Sequence, residues 1–158
     1  MASRIPSVAL AAALLGAGAA HAASTTGHAA LSLAELVGLR SPLVSPAHKI
    51  VLTRFMSGDT SFPSSNGAFT FTASQIDCGA SDVDITHYSC TLKFHTGTVT
   101  LSGAPAQSLY ATMVEAGVPS DGAAGTIHEA VQNLNCTVNV GVVKQRAGGG
   151  AKCTYTPL

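Results

Sequence analysis

The residues with the greatest chemical potential lie at His128-Glu129, at Asp77, Asp82 and Asp84, and in two glycine-rich loops. His128-Glu129 opens like the helical zinc-protease motif, which needs a second histidine four residues after the first. Position 132 is Gln132, so that ligand is missing. Glu129 also has a local use. Thr126-Ile127-His128-Glu129 reads as a capping box, in which the Thr hydroxyl accepts from the Glu129 N–H and the carboxylate reaches back. Asp77, Asp82 and Asp84 offer oxygens of the kind calcium wants, but their spacing does not follow the calcium-loop pattern, and turns favour Asp anyway. His48, His87, His95 and His128 are scattered, and a serine and a carboxylate would have to join one of them in space. Neither G-x-S-x-G nor S-x-x-K occurs, so a hydrolase reading rests on spatial assembly alone.

The first glycine-rich loop runs from Val118 to Gly125 and the second from Ala147 to Gly150. Asp121, Gly122, Gly148 and Gly149 are the candidate binding residues, because small residues let a partner's surface approach closely and Asp121 is the only charge in its loop. The plain alternative gives each a local role: Pro119 stops a helix, Asp121 makes a turn bond, and the glycines form a flexible turn. The phosphate-loop pattern is absent, and no motif implies a cofactor or a metal.

The four cysteines, Cys78, Cys90, Cys136 and Cys153, contain no C-x-x-C, which argues against a zinc site. In an exported chain disulfides are the default, and three connectivities are open. Pairing Cys78 with Cys90 and Cys136 with Cys153 is favoured, because each pair flanks one turn on strands that can be neighbours. Loops of this size are worth about 3 kcal/mol per bridge in the chain-entropy model. Asn135-Cys136-Thr137 matches a glycosylation acceptor in form only, its centre being a disulfide cysteine on a strand.

The elements that would hold these residues concentrate between Tyr88 and Thr156. Tyr88, Cys90, Leu92 and Phe94 alternate with polar residues, a strand with one buried face. A turn at His95–Gly97 leads to a second strand carrying Val99 and Leu101. Pro105 suits a first helical turn, Leu109 and Met113 share a face, and Gly117 and Pro119 mark the stop. A second helix is expected from Thr126, with Ile127, Ala130, Val131 and Leu134 at i, i+3, i+4 and i+7. Alternating residues predict strands from Cys136 to Val142, from Lys152 to Thr156 and from Ala68 to Ala73, and a less regular one from Lys49 to Met56. Ser57 to Gly67 reads as a loop. No internal repeat is visible.

Residues 1–22 read as a secretory signal peptide: Arg4, an apolar run from Val8 to Ala20, and Ala20-His21-Ala22 as the cleavage pattern. The run is short for a membrane anchor. Removing 22 residues from 158 leaves 136, a single domain's worth. Without Arg4 the chain has 7 Lys+Arg against 8 Asp+Glu, one fewer base than the full sequence and a net charge of −1. Nothing in that balance calls for nucleic acid, and no second segment is long enough to span a membrane. Residues 23–46 are expected to be poorly ordered, with a short helix over Leu31 to Leu39 as one option and an extended linker as the other. Residues 47–158 then form one α+β domain, an antiparallel sheet of five to six strands with two short helices on one face.

The runs Tyr88-Ser-Cys-Thr-Leu-Lys-Phe, Leu109-Tyr-Ala-Thr, Glu115-Ala-Gly-Val-Pro-Ser-Asp-Gly-Ala-Ala-Gly and Gly148-Gly-Gly-Ala-Lys-Cys resemble those of a group of small uncharacterised exported proteins of Gram-negative bacteria. The resemblance spans roughly the second half of the chain. It implies export and assigns no functional residue. In size and crosslinking the chain is also similar in kind to periplasmic inhibitors of lysozymes and proteases, without sharing their motifs. The expectation is a non-catalytic periplasmic or secreted binding protein, a hydrolase inhibitor being one form of it, whose partner is an envelope or extracellular protein. The alternative is a small hydrolase with a spatially assembled Ser/His/carboxylate site.

Overall fold

A computed structural model describes residues 21–56, 68–80, 87–120, 127–139 and 150–158. The elements run β1 (Ala23–Thr26), α1 (Gly27–Arg40), α2 (Pro46–Met56), β2 (Ala68–Ala80), β3 (Tyr88–Phe94), β4 (Gly97–Ser102), α3 (Ala104–Glu115), β5 (Ile127–Asn139) and β6 (Ala151–Pro157). The strands form one antiparallel sheet in the order β1-β6-β5-β2-β3-β4. The inward residues of the strands and the buried residues of α1 and α3 make one core, containing Leu33, Val37, Phe71, Ile76, Leu92, Leu109, Met113 and Val138. The expected α+β class is borne out, as are both disulfides, with three helices among the described residues in place of the two expected.

The disulfides Cys78–Cys90 and Cys136–Cys153 each join residues paired directly across neighbouring strands. Their Cα separations are 4.1 and 4.0 Å. Both face the helices and are buried.

α3 follows the expected pattern. Gly117 takes φ 85°, and the Val118 N–H donates to the Met113 carbonyl at 3.0 Å, closing the helix with a Schellman turn. Three other expectations fail. The second helix, from Thr126, is instead the first part of β5. Its helical spacing comes from a break in strand phase. Val131 and Leu134 are three apart yet both buried, because β5 is irregular between Gln132 and Asn135, where Asn133 takes φ 55°. The strand over Lys49 to Met56 is α2. Pro46 opens it, the Ser45 hydroxyl accepts from the His48 N–H at 3.3 Å, and adjacent Val51 and Leu52 are both buried, as a one-faced strand would not allow. Residues 23–46, expected to be poorly ordered, carry β1 and α1; of the two options for the segment the helix over Leu31 to Leu39 is the one found, within the longer α1. β1 is held by pairing with β6 from the far end of the chain, and α1 by burying Ala30, Leu33, Ala34 and Val37.

The sheet contains an internal two-fold that the sequence reading missed. Across it, β2-β3-β4-α3 is matched by β5-β6-β1-α1, with the axis between β2 and β5. Cys78 faces Glu129 across that central pair, and Cys136 faces Phe71. Each position seven residues before a cysteine thus pairs with the other strand's cysteine. On the outer strands, Cys90 faces Leu101 and Cys153 faces Thr25, each two residues before a glycine of positive φ, Gly103 (62°) and Gly27 (73°). Gly27, Ala30, Ser32 and Leu33 recur as Gly103, Ala106, Ser108 and Leu109. The carbonyls of Ala30 and Ala106 lie 3.4 and 3.3 Å from the sulfurs of Cys153 and Cys90, so each helix starts directly over a disulfide. The repeat escapes a linear reading because the second half takes β1 and α1 from the beginning of the chain.

Candidate functional site

Asp121, Gly122, Gly148 and Gly149 lie outside the described residues, as do Asp82 and Asp84. Val118–Gly125 connects α3 to strand β5, not two helices. Gly148 and Gly149 lie in the chain between β5 and β6, an antiparallel pair joined by Cys136–Cys153 and by the pairs Thr137↔Lys152 and Val138↔Ala151. The β2–β3 hairpin repeats this design, with Cys78–Cys90 below Gly79↔Ser89 and Ala80↔Tyr88.

The histidines do not gather. The ring of His48 packs on Phe69 with centroids 4.2 Å apart. His128 Nε2 lies 2.6 Å from Asp77 Oδ1 on the sheet face away from the helices, both side chains more than two-fifths exposed. No described serine is bonded to the pair. Among the described residues, no three His, Cys, Asp or Glu side chains are grouped to hold a metal ion. No described helix is long and apolar enough to cross a membrane.

Two polar features remain. A shallow groove of about 530 Å³ lies where β2 and β5 change phase, lined by Thr72, Ser74, His95, Asn133 and Asn135, with Phe94 at its wall. It offers hydrogen-bonding groups without a nucleophile and base in contact; the Ser74 hydroxyl donates to the Lys93 carbonyl at 2.9 Å.

The second feature is Glu129. Its strand turns the side chain inward, where it is fully buried. The Ser120 hydroxyl donates to Oε1 at 2.7 Å, and the Tyr110 hydroxyl also hydrogen-bonds the carboxyl. Oε2 has no hydrogen-bond partner among the described residues. Burial raises the carboxyl's pKa, partly offset by the bonds from Ser120 and Tyr110. Tyr88 packs on Tyr110, ring centroids 5.4 Å apart. Ser120 is exposed and both tyrosines are half-buried, so the cluster reaches from surface to core. None of this was foreseen, because the capping box gave Glu129 a sufficient local role. The available signal was period two: Ile127, Glu129 and Val131 place one carboxylate in an inward row.

A second buried acid, Glu35 on α1, has its pKa raised to about 7 by loss of solvation. Comparison with protein-family models, with curated proteins and with solved structures finds no match for the chain.

Proposed function

We propose that the chain is a non-catalytic binding protein of the periplasm or the extracellular space, and that its partner is a hydrolase it inhibits. The observation that supports this reading is that a disulfide clamps each of two strand pairs close to its connecting segment, one of them the pair β5–β6 between which Gly148 and Gly149 fall in the chain. A rigid stem lowers the ordering cost a binding loop pays on association. The crosslinks also fit an oxidising compartment. The test is a pull-down with residues 23–158 from an envelope extract of the source cells, followed by assay of the captured protein's hydrolytic activity. Capture with loss of that activity is expected, weakened by Asp121→Ala or by Gly148→Val/Gly149→Val at unchanged melting temperature. Capture unaffected by either variant rules out these loops.

The second reading, a small hydrolase, is favoured by the His128–Asp77 contact, two members of a Ser/His/carboxylate set. Labelling of a serine by a fluorophosphonate, abolished in His128→Ala, would establish it. No labelling of folded protein would exclude a reactive serine.

A further inference from the structure

The internal two-fold separates what the scaffold requires from what one half has added. Glu129 is the counterpart of Phe71, since each faces the other half's first cysteine across β2 and β5. Tyr110 is the counterpart of Ala34, each seven residues beyond its helix-opening glycine. In one half the pair is apolar: Phe71 and Ala34 are buried, and Phe71 and Leu52 of α2 both pack beside Gly38 of α1. In the other half the same two places hold a carboxyl and a phenol. The fold therefore does not need polar groups there. Burying a carboxyl with an unused oxygen costs free energy that an apolar residue would avoid.

We propose that Glu129, with Tyr110 and Tyr88, is a binding site for a guanidinium group, namely an arginine side chain of the partner protein, and that the Ser120 hydroxyl occupies one of its oxygens in the free protein. The inference rests on the binding-protein reading and names the contact chemistry. A carboxylate presents two oxygens side by side, and a guanidinium fork matches them with two parallel N–H donors. Oε2 is free to accept among the described residues, and the hydroxyl that bonds Oε1, that of Ser120, belongs to an exposed residue and is exchangeable with water. An entering guanidinium takes the place of the Ser120 hydroxyl on Oε1 and supplies the partner that Oε2 lacks. The Tyr88 and Tyr110 rings give its planar face an aromatic wall. An ammonium is a point donor that cannot bridge both oxygens in plane, so the site prefers arginine to lysine.

The test uses the whole oxidised chain at pH 8, titrated with L-arginine amide and, separately, L-lysine amide. Binding is followed by the amide resonances of Tyr110, Ser120 and Glu129. Arginine amide should give saturable shifts there, with at least tenfold weaker binding of lysine amide. Glu129→Gln, nearly isosteric, should weaken arginine amide at least tenfold, whereas Ser120→Ala should bind it as well as or better than the parent, because the competing hydroxyl is gone. Glu129→Leu replaces Glu129→Gln if the latter does not fold. Absence of saturable shifts in the parent, equal binding by either Glu129 variant, equal binding of lysine amide, or lost binding in Ser120→Ala each overturns the proposal. Unweakened capture of a partner by Glu129→Gln in the pull-down would overturn this site while leaving the binding function standing.

Discussion

Phe71 and Glu129 occupy the same place in the two halves of one sheet: Phe71 faces Cys136, and Glu129 faces Cys78. One is an aromatic ring packed beside Gly38 of α1; the other is a carboxyl bonded to Ser120 and Tyr110. Because the two-fold holds in register on either side of them, the difference belongs to the side chains and what covers them.

If the carboxyl is not structural, Glu129→Leu should fold with both disulfides and melt no lower than the parent at pH 8. Replacing buried polar groups with apolar ones of similar volume is often neutral or stabilising, by about 1–4 kcal/mol. Thermal melts followed by circular dichroism decide it. A loss beyond about 2 kcal/mol would mark the bonds to Ser120 and Tyr110 as part of the scaffold.

Glu35 makes stability depend on pH. Its folded pKa of about 7 lies above the ordinary value of 4.5, so the folded state holds the proton more tightly. Its effect is therefore absent below the unfolded pKa, and stability falls as pH rises from about 4.5 to about 7, after which it is level. The full shift corresponds to about 3 kcal/mol. Urea midpoints at pH 5 and pH 8 should differ less in Glu35→Gln than in the parent, and the variant should be the more stable at pH 8. Glu129, also raised by burial, adds a slope of the same sign, so the double variant should be flatter still.

Gly38 is where α1 meets both α2 and the sheet. A Cβ there would lie 2.8 Å from Leu52 Cδ1 and 2.9 Å from Phe71 Cδ1. Overpacking costs about 1–3 kcal/mol, against a gain of about 1 kcal/mol in helix propensity. Gly38→Ala should thus lower stability by about 1–2 kcal/mol, and the double variant with Leu52→Ala should lose less than the sum of the two single losses, because Leu52→Ala removes the nearest atom the new Cβ meets. Denaturant titration of both single variants and the double reads the coupling.

The disulfides span 12 and 17 residues, so removing either pair as Cys→Ala should cost about 3 kcal/mol, slightly more for Cys136/Cys153. Non-reducing peptide mapping of the parent should recover the two linked peptides, and melts of the paired variants should show the losses.

Several features were legible in the residues alone. Alternation at Tyr88–Phe94 and Ala68–Ala73 gives strands, because one face of a sheet is apolar and the other polar wherever helices cover one side. The stop at Gly117 and Pro119 is local chemistry, and so is visible locally. The cysteine pairing followed from hairpins that bring neighbours together. Tertiary structure decided the rest. β1 is four residues long and exists only because β6, from the other end of the chain, pairs with it. β5 looks helical over Ile127–Leu134 because the phase break at Asn133 mimics a helical interval. Glu129 satisfies a capping rule in sequence, yet the strand turns it inward under α3. The two-fold that assigns it a counterpart links segments far apart in the chain, and no window short enough to show periodicity can contain both.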